Sequence, residues 1–168
     1  DTGLAGARQI VPIPVVGMTE ASLLTACSLG RRIGVISFGL SSRGMYLDLL
    51  DRIGLGSRIV GLETVDLTSK DAYLREGGQD AMTLDATQRL AAAGADVVAV
   101  TGAAVAGIAR RLRDQAPVPV VDGIGCAVAQ AEALVRLGVR QRRPERPLTG
   151  GSLTTGLGGE LAAALANR

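Results

Sequence analysis

The chain has 168 residues, 47% hydrophobic and 20% charged, with 18 Lys+Arg against 16 Asp+Glu. That is the size of one ordinary domain with a near-neutral balance, able to bury roughly two thirds of its unfolded surface. The sequence holds no His and three aromatic residues, Phe38, Tyr46 and Tyr73. This excludes Ser-His-Asp hydrolysis, Cys-His thiol activation, His-containing zinc sites and a stacking platform for single-stranded nucleic acid.

Gly and Pro punctuate the chain into short apolar runs and longer helical patterns. Pro12–Val16 is extended and ends at Gly17. Thr19 offers an N-cap with Glu20 in the first turn, and Ala21–Leu29 reads as an apolar helix closed by Gly30. Arg32–Phe38 predicts a buried strand, Gly39–Ser42 a turn, and Arg43–Arg52 a helix stopping at Gly54. Arg58–Val65 predicts a third extended run. Asp71–Ala93 is mostly helical, with a break at Gly77-Gly78 and an end at Gly94.

The same order then returns. Ala95–Val100 is a strand, Thr101-Gly102 a turn and Ala103–Gln115 a helix. Pro117–Val121 is a strand, Asp122-Gly123 a turn and Ile124–Leu137 a helix; Val139–Thr155 reads as a loop and Leu157–Ala166 as a closing helix. Apolar strands without alternation, separated by helices, mean parallel strands buried on both faces. The fold class is α/β, with parallel sheets flanked by helices. No apolar run approaches the ~18–20 residues of a membrane-spanning helix.

In such sheets ligands bind beyond the carboxyl ends of the strands. The turns there are Gly17-Met18-Thr19-Glu20, Gly39-Leu40-Ser41-Ser42, Thr101-Gly102-Ala103-Ala104 and Asp122-Gly123-Ile124-Gly125. Small and hydroxylated residues leave backbone N–H groups open to an anion such as a carboxylate. The same residue types also serve plain turn and capping roles. Arg140, Arg142, Arg143 and Arg146 form one local basic excess, read as a solvated connector ahead of an anion or nucleic-acid patch. Cys27 and Cys126 lie in apolar helical stretches, which suits buried free thiols in a reducing compartment. With no leader read at the start of the chain, a cytoplasmic location is expected.

Four segments carry a family resemblance. They are Asp1-Thr2-Gly3-Leu4-Ala5-Gly6-Ala7-Arg8, Ile13-Pro14-Val15-Val16-Gly17-Met18-Thr19-Glu20-Ala21, Gly94–Ala103, and Pro119-Val120-Val121-Asp122-Gly123 with Ala131-Glu132-Ala133-Leu134. In order and spacing they resemble the aspartate/glutamate/hydantoin racemase superfamily, in its hydantoin and allantoin racemase branch, over residues 1–138. The resemblance implies two pseudo-symmetric Rossmann-like lobes with the substrate in the cleft between them. Residues 1–32 and 118–168 would be the remainder of the first lobe and 33–117 the second. Relatives carry further strand–helix units before the segment matching Asp1, so the first lobe is expected to be incomplete here.

The resemblance also implies cofactor-independent racemisation or isomerisation of a small carboxylate or cyclic ureide, with no metal and in a homo-oligomer. Two opposed thiols would move the α-proton. The first falls upstream of Asp1, and the second falls at Gly102, which has no side chain. Cys126, at a helix N-terminus that would lower its pKa, and Glu20 are the substitutes within the chain. The expected binding residues are Gly17, Met18, Thr19, Ser41, Ser42, Thr101, Ala103, Asp122 and Gly123. The vacancy at Gly102 keeps a non-catalytic or decarboxylase-like relative as the alternative. Neither nucleic acid nor membrane is an expected partner.

Overall fold

In the computed structural model of the chain, residues 1–66, 78–140, 156 and 158–166 are described. Four strands, Ile33–Phe38 (β1), Ile59–Val65 (β2), Val97–Val100 (β3) and Val120–Asp122 (β4), form one sheet in the order β2-β1-β3-β4. All three pairings are parallel, with Ile33–Ile36 of β1 opposite Val97–Val100 of β3. Successive side chains of a strand point to opposite faces, and here both faces are core. Ile33, Val35, Val97 and Ala99 enter one cluster with Leu23, Ala26 and Leu50. Ile36, Val98 and Val100 enter the other with Ala86, Leu90, Ile108 and Leu112.

The helices supply these partners. Met18–Cys27 (α2) and Arg43–Arg52 (α3) lie on the first face; Gly78–Ala92 (α4) and Ile108–Leu112 (α5) lie on the second. The remaining helices are Leu4–Ile10 (α1), Gly123–Arg136 (α6) and Gly159–Ala166 (α7). No described helix is long and apolar enough to cross a membrane. The chain falls into two compact units. One is Asp1 with Val16–Gln130 and holds the whole sheet; the other is Thr2–Val15 with Ala131–Arg168.

Several boundaries differ from the sequence reading for identifiable reasons. The helix expected over Ala103–Gln115 is a 3-10 turn at Ala103–Val105 followed by the short α5, because Gly107 at φ 78 breaks it. The N-cap of α2 is Gly17, so Thr19 lies inside the helix. Helix α1 has no counterpart in the sequence reading, and its Leu4–Ile10 buries no residue. The expected loop from 141 to 155, with Arg142, Arg143 and Arg146, lies outside the described residues, as does the expected helix start at Asp71.

Asp96 joins the residues just before β1 to the start of β3. Its Oδ2 accepts the N–H groups of Arg31 (3.0 Å) and Arg32 (2.8 Å). The Arg32 N–H above all, with that of Arg31, holds this carboxylate below its ordinary value against an opposing desolvation effect. A folded-state pKa below the unfolded one stabilises at neutral pH, and that stability is lost as pH falls through the folded value. Asp96→Asn is therefore expected to flatten the acid limb of the stability curve below about pH 4. Thermal unfolding of both proteins from neutral pH downwards checks this: parallel acid limbs would contradict it.

Candidate functional site

In a sheet of this order the crevice opens outside the carboxyl ends of β1 and β3, where the connections diverge. Two turns meet there. After β1, Gly39 takes φ 79, its N–H bonds Val65 O (3.1 Å), and a 3-10 turn, Leu40–Ser42, follows. After β3, Thr101 gives both its N–H and its Oγ1–H to Ile36 O, each at 2.8 Å, and Gly102 turns the chain at φ 98. The carbonyl of Ile36 thus ties the second turn to the strand that carries the first.

Hydroxyl groups expected to meet a ligand are turned inward. Ser42 Oγ donates to Phe38 O (2.8 Å) or Gly39 O (2.7 Å), and the buried Thr101 hydroxyl is held by Ile36 O. Ser41 and Ala103 are exposed. What these turns offer an anion is backbone N–H, since the first N–H groups of a helical turn lack partners within it. Gly102 carries no side chain, and a Cβ built there would stand 3.0 Å from Phe38 Cδ2.

The other two turns form a second locus, at the N-termini of α2 and α6. Gly123 is buried, and a Cβ on it would lie 3.2 Å from Met18 O and 3.3 Å from Met18 Cβ. The two helix starts approach closely because this residue is glycine. Here the N–H groups expected to receive a ligand are already capped. Asp1 accepts from Thr19 N (3.1 Å, Oδ1) and Glu20 N (2.9 Å, Oδ2). Asp122, 8% exposed, accepts from Gly125 N at 2.8 Å. The buried hydroxyl of Thr19 finds no partner among the described residues. Asp1→Ala is expected to cost about 1 kcal/mol, the usual worth of a helix cap, and so to lower Tm by about 2–4 °C. Differential scanning calorimetry reads this; an unchanged Tm would show that the cap adds nothing.

Neither thiol has the surroundings of an activated one. Cys126 is half-buried on α6, and burial pushes its pKa up; a hydrogen bond with Thr25 of α2 opposes this, and the Asp122 carboxylate adds to the rise. The net direction is upward, opposite to the lowering that a helix N-terminus alone predicts. Cys27, also half-buried, packs against the cluster of Leu23, Ala26 and Ile33. Glu20 is half-buried in the first turn of α2.

Sequence reading passed over Asp1 as a cap and Phe38 as the neighbour of Gly102; residues so far apart in the chain leave no local signal. A further groove of ≈ 560 Å³ runs along α5 and β4, lined by Ala109, Arg110, Arg113, Val118, Val120 and Asp122 among others. Of the expected binding residues, its lining includes Asp122 alone.

Comparison with known proteins gives a consistent result. The Asp/Glu/Hydantoin racemase family model matches residues 1–131. A hydantoin racemase from a Pseudomonas species is 30% identical over 139 residues, which are 82% of this chain and 56% of that protein. The chain therefore spans little more than half the length of that relative. Among solved structures, allantoin racemase from Klebsiella pneumoniae superposes with a TM-score of 0.79 at 24% identity, covering 96% of this chain and 66% of that one. Allantoin racemase from Pseudomonas fluorescens gives 0.69 at 28% identity, over 87% and 66%.

Proposed function

This chain belongs to the Asp/Glu/hydantoin racemase family, and on that premise we propose that it binds a small carboxylate or cyclic ureide at the carboxyl ends of β1 and β3. The observation that carries the reading is the joint at Ile36, which sets the Gly39–Ser42 and Thr101–Ala103 turns side by side at the switch point of the sheet. Gly39 and Gly102 both hold positive φ there, so the main chain comes close to a ligand that a Cβ would keep away. Thr101, Ser41, Ser42 and Ala103 shape this pocket, while Gly17, Met18, Thr19, Asp122 and Gly123 border it from the α2 and α6 starts. The family resemblance implies that the ligand lies between the lobe that holds this sheet and the other lobe.

Family descent makes the chemistry a cofactor-independent isomerisation. One specific observation favours a second reading, non-catalytic or decarboxylase-like. The position that the resemblance gives to the second thiol is Gly102, and burial pushes the Cys126 thiol up. Two free thiols suit the cytoplasm, and exposed Val128 and Val135 on α6 support assembly of further copies. Calorimetric titration with hydantoin, allantoin, aspartate and malonate tests the pocket. Binding of at least one is expected, with loss of heat on Gly39→Val. Neither heat nor thermal shift with any of the four would leave the chain a purely structural role.

A further inference from the structure

We infer that Phe38 is the specificity-determining residue on the Gly102 side of this pocket: its ring fills the volume into which a side chain at residue 102 would grow, and sets an apolar wall where the resemblance places a proton carrier. The inference rests on the carboxylate or ureide reading for its ligand, though not for its geometry.

Phe38 is the last residue of β1 and pairs with Val65 of β2. On its other side the register with β3 ends at Ile36 opposite Val100. Two further steps bring Phe38 opposite Gly102. There the chain departs from the strand, at φ 98 and ψ 130. The direction a Cβ would take meets three ring atoms in turn: Cδ2 at 3.0 Å, Cε2 at 3.7 Å and Cγ at 4.0 Å. The ring therefore turns its Cδ2–Cε2 edge towards the Gly102 turn. An aromatic edge is the positive end of the ring quadrupole, so this wall is apolar without repelling an anionic ligand.

The ring is not free to withdraw. Phe38 is half-buried and packs against the cluster that holds Ile36, Val65 and Val100. Swinging it away from Gly102 would lift it from that core into water, against the gain that holds large apolar side chains inside. Two separate constraints thus keep residue 102 a glycine. The backbone there is one that side-chain-bearing residues rarely adopt, and the space in front of it is occupied. A thiol placed at this position in the unchanged chain would be strained and shielded. A ligand that reaches the turn meets hydrocarbon on this side, and the room left for its substituent is set by the ring.

The test uses the full chain with Cys27→Ala and Cys126→Ala, so that one thiol reports. Gly102→Cys is expected to lower Tm by about 5 °C or more. Its thiol should react with an aromatic disulfide reagent at least about tenfold more slowly than the same thiol combined with Phe38→Ala, because access governs the rate. Equal reactivity with and without the ring, at unchanged Tm, would overturn the inference. Should the combined variant not fold, a cycle of Phe38→Leu and Gly102→Ala in denaturant replaces it. Coupling between the two supports the shared volume, and strict additivity removes it.

A ligand arm separates this inference from the pocket reading. Phe38→Ala is expected to raise the affinity for 5-benzylhydantoin relative to hydantoin at least about tenfold, the scale of a filled apolar subsite. An unchanged ratio, with both ligands still bound, overturns the specificity role. Heat from neither ligand with the unsubstituted chain overturns the pocket reading, while thiol reactivity and Tm still decide where the ring stands.

Discussion

Leu90→Ala is expected to lower the unfolding free energy by about 3–4 kcal/mol, the middle of the range for burying alanine where a core leucine stood. Leu90 is 2% exposed on the inner face of α4. It enters a notch made by two glycines that are partners across β1 and β2, Gly34 and Gly61. A Cβ on Gly34 would lie 2.9 Å from Leu90 Cβ, and one on Gly61 would lie 2.9 Å from Leu90 Cδ2. The leucine therefore rests on sheet backbone, which cannot move in to fill the void left by truncation. For a chain of this length the loss corresponds to a fall in Tm of about 6–16 °C.

The notch also predicts a coupling. Gly34→Ala alone forces α4 outward and is expected to cost about 1–3 kcal/mol as overpacking. With Leu90→Ala present, the close approaches to Leu90 Cδ1 (3.0 Å) and Cγ (3.2 Å) are gone, and only that to Cβ, which alanine keeps, remains. The double variant should then be more stable than the sum of the single losses by about 1 kcal/mol or more. Chemical denaturation of the four proteins measures this, and additive losses would show that Leu90 does not rest on Gly34.

How much of this was legible depends on the distance over which each cause acts. The strands β1 and β3 are visible because unbroken apolar runs such as Val97–Val100 announce burial on both faces, and their order with the helices between them leads to a parallel sheet. Helices α2, α3 and α6 are marked locally by Gly30, Gly54 and Gly138, each just beyond its apolar run. The break in α5 at Gly107 is a matter of one dihedral angle, which composition does not encode. Pairings across the fold leave no trace in a window of sequence. Asp1 caps a helix eighteen residues away, Phe38 confronts Gly102 across the sheet, and Leu90 finds Gly34 and Gly61 only once register is fixed. The same limit explains Cys126. Its place near a helix start is readable and argues for a lowered pKa, while the burial that raises it, against a hydrogen bond with Thr25, is not.

For this 168-residue chain, exchange of the α-proton of a 5-substituted hydantoin is expected to run about 10²–10⁴-fold slower than in a two-thiol member of the family, the worth of one positioned acid–base group. Inversion requires one group to take the proton from one face and a second to return it to the other. Deuterium exchange with retention needs only one group, so the two readouts separate the cases. Gly102 can do neither task. The Thr101 hydroxyl is bonded to Ile36 O and is too weak an acid to serve without strong activation. Burial pushes the Cys126 thiol up, away from the thiolate that a base would need. Optical rotation of a single enantiomer should therefore decay, and deuterium enter, at least about 10²-fold more slowly than with a two-thiol member. Rapid loss of rotation that survives Cys27→Ala and Cys126→Ala together would mean that an oxygen base in this chain completes the proton relay, and Glu20→Gln would be the next variant to measure.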